Sequence, residues 1–216
     1  MARLLAAETG NALRTQARPE VMGTVEVLRY FGGVIAEQKG ETLPLGPGIF
    51  SYSSREPHGV VGAIIPWNAP LLLGAMKVAM ALATGNTLVL KPAEDAPLTV
   101  IRMMELAADL FPAGVFNIVT GIGEDAGAAL ARHPGVAKVS FTGSSEVGKL
   151  VSHAAADRIA NVSLELGGKS PTIVFPDAAS DDLLESTVDG IITAMRFSRQ
   201  AQSCTAGSRL FLHRDV

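Results

Sequence analysis

The chain reads as an α/β protein built on a doubly wound, Rossmann-like parallel sheet with a hairpin appendage. Three observations predict this. From Val60 onward, short apolar runs alternate with stretches of helical periodicity. The runs lack the in-and-out alternation of a half-solvated sheet, so they belong to strands buried on both faces. Glycine turns and charged residues fall at the ends of these runs, where open α/β sheets bind their ligands.

Leu4 to Leu13 and Val21 to Ala36 carry apolar residues at helical spacing and predict an opening pair of helices, residues 1–42. The Pro/Gly-rich passage Leu43-Pro44-Leu45-Gly46-Pro47-Gly48 leads into Ile49 to Arg55, whose alternation suits an exposed hairpin strand, residues 43–59. Strands are then expected at Val60 to Ile65, Thr87 to Leu90, Val115 to Val119, Lys138 to Phe141 and Val162 to Leu166. Helices between them are expected near Leu71 to Ala83, Leu98 to Leu110, Asp125 to Arg132 and Glu146 to Ala156. Together they make a nucleotide-binding type of domain over residues 60–166. Beyond it, Thr172 to Phe175 reads as a strand, Asp181 to Arg196 as a helix capped by Ser180 or Asp181, and Ser208 to His213 as a strand.

With 216 residues, 48% hydrophobic and 18% charged, the chain can bury a substantial core and is not disordered. A net charge of -3 offers no footprint for nucleic acid, and no basic run suggests a membrane surface. The start is too short in apolar residues for a signal peptide, and the run Leu71 to Leu82 is interrupted by Lys77. A soluble, cytoplasmic protein acting on small molecules is expected. A single cysteine excludes an internal disulfide and fits a reducing compartment.

That cysteine, Cys204, lies in Gln202-Ser203-Cys204-Thr205-Ala206-Gly207 and follows Glu165 of Leu164-Glu165-Leu166-Gly167-Gly168 by 39 positions. A thiolate is the strongest nucleophile a protein has near neutral pH, and a separate carboxylate can activate the water that clears a thioester. A lone cysteine is more often a small buried hydrophobe, so its neighbours must decide. Gly143-Ser144-Ser145-Glu146-Val147-Gly148 follows a strand and opens a helix. Its N–H groups and helix dipole suit a pyrophosphate, though an ordinary glycine turn with a serine cap reads equally well. Gly121-Ile122-Gly123-Glu124-Asp125-Ala126 fits a looser version of the same fingerprint. Lys91 and Glu94 close a strand where a lysine can hold ribose hydroxyls and a carboxylate can accept from the 2′-OH, which favours NAD over NADP. The alternative is a solvated charge pair. Gly168-Lys169-Ser170 is no phosphate loop, because the earlier glycine position holds Ser163. His58, His133, His153 and His213 have no metal or triad spacing and read as surface or loop residues.

Pro66-Trp67-Asn68, Lys91-Pro92-Ala93-Glu94, Phe141-Thr142-Gly143-Ser144 and the Glu165 and Cys204 segments make the chain resemble the NAD(P)-dependent aldehyde dehydrogenase superfamily, from about Glu8 onward and in the family's order. The resemblance implies that Cys204 attacks an aldehyde, that hydride passes to the nicotinamide of NAD, and that Glu165 deprotonates the water that hydrolyses the thioester. It implies Asn68 and the Cys204 N–H as oxyanion donors, with Lys77 supporting proton movement; locally, Lys77 reads equally as a charge snorkelling from an apolar helix. Ile65, Pro66, Trp67, Lys91, Glu94, Gly121, Gly143, Ser144 and Leu166 are the implied cofactor contacts, with no metal. Trp67 also reads as packing and site wall. Residues 167–216 are then the first elements of an incomplete catalytic domain, and the chain is expected to be truncated at both ends. The implied partner is a small-molecule aldehyde, with homo-oligomers in the full-length family.

Two departures stand out. Ala201 replaces a glycine common in the family, and the interval from Glu165 to Cys204 is longer than in many relatives. The chain looks like a fragment that need not be active alone, and the alternative function is a non-catalytic nucleotide-binding fragment or half of a split enzyme. An acylating enzyme that passes the thioester to coenzyme A is disfavoured by the presence of Glu165.

Overall fold

The computed structural model describes residues 1–215. Helices α1 (Ala2–Thr9) and α2 (Arg18–Val34) open the chain, joined by a π-helical turn, Leu13–Ala17. The expected exposed strand is shorter than its alternation suggests: β1 (Thr42–Leu43) and β2 (Ser51–Tyr52) pair antiparallel over two residues each. The strands and helices that follow are β3 (Val60–Ile64), α3 (Pro70–Ala83), β4 (Thr87–Lys91), α4 (Leu98–Ala107), β5 (Phe116–Ile118), α5 (Ala128–Arg132), β6 (Lys138–Gly143), α6 (Ser145–Ala156) and β7 (Asn161–Leu166).

These strands form one parallel sheet in the order β5-β4-β3-β6-β7. The chain therefore winds outward from β3 through β4 to β5, returns to the other side of β3 as β6, and winds outward again to β7. The reversal leaves a crevice at the carboxyl ends of β3 and β6. The sheet's two faces are separately packed, as the period of two demands. Val61, Ala63 and Ile65 point into a core with Val78, Leu88, Leu90 and Val100, under α3 and α4. Ile64 points the other way, with Val139, Phe141, Leu130 and Val151, under α5 and α6. Gly62 faces α5, where an added Cβ would lie 3.1 Å from Leu130 and Val136. A third cluster, Leu5, Ala17 and Leu71, fastens the N-terminal helices to α3.

After the sheet, β8 (Pro171–Val174) and β9 (Arg209–Leu212) pair parallel, with α7 (Leu184–Ala194) between them. The expected cap at Ser180 or Asp181 is corrected. The helix starts at Leu184 and its N-cap, Leu183, makes no side-chain cap bond. The Ser180 carbonyl instead accepts from the N–H groups of Leu183 and Leu184, forming a turn that delays the helix. The expected helix at Asp125 likewise begins as a π-turn, Gly123–Gly127, before α5. No described helix is long and apolar enough to cross a membrane.

Candidate active site

The crevice is lined from both sides of the switch point. β6 ends at Gly143, and Ser144 caps α6 by accepting from the Val147 N–H at 3.2 Å. The register of β6 and β7 sets Glu165 beside Thr142 and Leu166 beside Gly143. Close approach of α6 to β7 depends on glycine: a Cβ at Gly148 would lie 2.7 Å from Leu166 Cδ2. A Cβ at Gly143 would lie 2.5 Å from Phe141 Cζ, so that turn also excludes a side chain.

Cys204 arrives from the opposite side on a tightly wound loop. Arg196, Gln200 and Ala201 all hold φ of 57°, in the left-handed region, which costs non-glycine residues roughly 1 kcal/mol or more each. The loop is closed by Gln202 N–H to Arg199 O at 2.9 Å and Gly207 N–H to Ala194 O at 2.8 Å. Ala201 thus occupies a conformation that suits glycine and still reaches it. The thiol of Cys204 is free and exposed.

A cavity of about 560 Å³ brings together Pro66, Trp67, Asn68, Gly143, Ser144, Glu165, Leu166 and Cys204. A second, of about 540 Å³, lies on the α3 side and is lined by Lys77, Ser140, Thr142, Glu165 and Cys204. Glu165 and Cys204 therefore sit on the ridge between two cavities and can be approached from either. The Asn68 amide bridges the two halves: Nδ2 donates to the Gln202 carbonyl at 3.0 Å, two residues before the thiol. A carboxamide has two N–H groups, so one remains for a ligand.

Lys77 Nζ donates to Ser140 Oγ at 2.8 Å. Burial pulls its pKa from 10.5 down to about 8, with Lys138 adding to the fall and the Glu165 carboxylate opposing it. Its ammonium is thus anchored inside the second cavity, not snorkelling to bulk water.

The remaining predicted residues are arranged at neighbouring strand ends. Ile65 is buried in the core, and its N–H donates to the Lys91 carbonyl at 3.1 Å. Lys91, itself buried, bonds the half-exposed Glu94 at 2.8 Å. That bond, with help from backbone N–H groups including Gly123's, holds Glu94 below the usual carboxylate range. Gly121 takes φ of 143° and lines neither large cavity. Two residues on, Gly123 and Glu124 line a smaller cavity of about 160 Å³ between α5 and α6, with Val147 and Leu150. Sequence reasoning missed Val147 and Leu150, which read only as positions on an amphipathic helix. It also missed Ser140 as the partner of Lys77, since nothing in a strand sequence marks which serine faces a helix. His58, His133, His153 and His213 are all exposed.

Comparison with known proteins gives a consistent family. The aldehyde dehydrogenase family profile matches residues 1–216. Phenylacetaldehyde dehydrogenase of Pseudomonas fluorescens is 48% identical, over all of this chain and 43% of its own length. Hydroxyisobutyraldehyde dehydrogenase of Mycolicibacterium austroafricanum is 47% identical, over all of this chain and 42% of its own. Among solved structures, an NAD+ complex of aldehyde dehydrogenase from Bacillus cereus superposes with a TM-score of 0.92 at 42% identity, over 99% of this chain and 43% of that one. The chain spans about two fifths of the length of the curated relatives it matches.

Proposed function

The chain belongs to the aldehyde dehydrogenase family, and from that premise we propose that it carries the thiol, the general base and the dinucleotide crevice of an NAD-dependent aldehyde oxidation. The observation that carries this reading is the shared position of Cys204 and Glu165 on the ridge between two cavities, one of which also receives the N-terminus of α6.

The residues present fit a dinucleotide. The Gly143 turn has no room for a side chain, and the first N–H groups of α6 supply a positive end for a pyrophosphate. Val147 and Leu150 in the small cavity between α5 and α6 suit an adenine ring. Lys91 and Glu94, held together, suit ribose hydroxyls, and the ionised Glu94 disfavours a 2′-phosphate. NAD, when bound, supplies the hydride acceptor. The chain's own residues do the rest. The Cys204 thiol releases its proton to water, the thiolate sulfur bonds to the carbonyl carbon of a small aldehyde, and the carbonyl electron pair moves to oxygen. The second N–H of Asn68 and the Cys204 N–H hold that oxyanion. After loss of hydride from carbon, a thioester remains on Cys204. Glu165, exposed in the crevice, takes a proton from water, whose oxygen displaces the sulfur and leaves a carboxylic acid. Lys77, with a pKa of about 8 and within the field of Glu165, passes protons near neutrality. A reducing cytoplasm would keep the thiol ready.

The test is calorimetric and kinetic. The chain should bind NAD more tightly than NADP, and NADH formation from short aldehydes should vanish in Cys204→Ser. Equal affinity for the two dinucleotides would remove the role given to Glu94, and NADH formation that survives in Cys204→Ser would remove the nucleophile.

A further inference from the structure

The residues between the end of α1 and the first turn of α2 touch both loops that carry the proposed chemistry. Gly10 ends α1 with φ of 74°, and its carbonyl accepts from Gln200 Nε2 at 2.6 Å. Asn11, 2% exposed, donates from Nδ2 to the Asn68 carbonyl at 3.1 Å. Gln16 Nε2 donates to Ser198 Oγ at 2.8 Å. Glu20, 1% exposed, accepts the Leu72 N–H on Oε1 at 3.3 Å, at the start of α3. Its Oε2 lies 3.7 Å from Nη1 of Arg199 in the cysteine loop. The Asn68–Gln202 bond closes the circuit.

A neutral glutamine could accept the Leu72 N–H without the desolvation penalty of a buried carboxylate. Oε2 makes no hydrogen bond, and burial pushes the carboxyl's pKa up against the opposing Leu72 N–H and Arg199; what the ionised form adds is attraction at 3.7 Å for Arg199, whose side chain is 19% exposed. Glu20 touches no cavity that holds Cys204. It acts at a distance, on the loop and on the helix start together.

We propose that Gly10–Glu20 is a positioning brace for the site, with Glu20 as the positioning residue that couples the start of α3, just beyond Asn68, to the loop that presents Cys204. Apart from the Asn68–Gln202 bond, the two loops hang on separate elements, and a misplacement of about 1 Å between thiol and oxyanion donor can cost roughly a hundredfold in rate. The catalytic meaning of the brace rests on the function proposed above; its mechanical existence can be measured without turnover.

The experiment is hydrogen exchange by mass spectrometry on the 216-residue chain, well below its melting temperature. Wild type is compared with Glu20→Gln, Arg199→Met and their double variant. A bimane label on Cys204, quenched by contact with the single tryptophan, Trp67, reports the loop's position against the site wall. Each single variant should exchange the amides of residues 196–204 about tenfold faster and brighten the label about twofold. The double variant should go no further than the singles, because both remove one contact. A lower melting temperature with unchanged exchange and unchanged label emission would overturn the brace and leave Glu20 an anchor for α3 alone. If the Glu20 variant does not fold, Gln16→Ala with Gln200→Ala removes two exposed struts, and unchanged exchange in that variant overturns the brace equally. Failure of the wild-type chain to bind NAD would overturn the dinucleotide reading and would not alter these rates.

Discussion

Lys77 shows how a single side chain ties stability to chemistry. Its native pKa of about 8 lies below the ordinary 10.5 because the ammonium is buried. Below the native value the lysine is charged in both folded and unfolded chains, and the burial cost is fully felt. Between about 8 and 10.5 the unfolded chain holds a proton that the native chain has shed, so Lys77's contribution to stability improves as pH rises through that window. Lys77→Met should therefore be more stable than wild type at pH 7, by about 1–3 kcal/mol, and the advantage should shrink toward pH 10. Urea titrations at the two pH values check this, and a pH-independent difference would contradict burial as the cause. Gly143 is the second such position. Because an added Cβ would meet the Phe141 ring at 2.5 Å, Gly143→Val should cost about 1–3 kcal/mol and abolish NAD binding, read by calorimetry. The need for glycine was legible from the turn, but its physical reason was not. The sequence pointed to a phosphate-binding or ordinary glycine turn, whereas the nearest obstacle to a side chain is Phe141, two residues back in the same strand.

At the scale of elements, β3 and β4 were readable as continuous apolar runs, and β3, β4, β6 and β7 begin and end within a residue or two of expectation; the expectation of strands buried on both faces is corrected at β7, an edge strand that alternates apolar with polar residues and is exposed except for the half-buried Leu164. The π-turns at Leu13–Ala17 and Gly123–Gly127 were not readable, since their longer hydrogen-bond period leaves no separate mark in the apolar spacing. The cap before α7 misled because Asp181 and Ser180 look like any helix start, and only backbone geometry reveals that the turn closes on the Ser180 carbonyl instead. The hairpin β1–β2 raises a separate expectation. Two residues per strand cannot stand alone in water, yet Phe50 and Tyr52 are 80% and 67% exposed, with Leu45 and Ile49 beside them. This exposed apolar surface is expected to favour self-association of the chain. Light scattering should show self-association that Phe50→Ser with Ile49→Ser weakens by about tenfold in apparent dissociation constant, the scale of burying one or two apolar side chains less. An unchanged mass distribution would place association elsewhere.

Across the whole molecule, the site is assembled from contacts far apart in the chain, and that limits what sequence can disclose. Cys204, Glu165 and Asn68 could be recognised as residue types in familiar runs. That the Asn68 amide also bonds Gln202, and that Glu20 reaches Arg199, depends on how α2, α3 and the cysteine loop pack together. The apolar spacing of α2 marks Glu20 as nothing more than a first-turn acid. The division of the crevice into two cavities meeting at Cys204 and Glu165 is likewise a property of packing, and it sets the two residues on one shared ridge. Whether they act in succession is read by intact-mass and peptide mass spectrometry of Glu165→Gln after incubation with NAD and a short aldehyde. Successive action gives up to one NADH per chain and an acyl adduct confined to Cys204, absent in Cys204→Ser. NADH released continuously by Glu165→Gln at the wild-type rate with no adduct on Cys204 would contradict it.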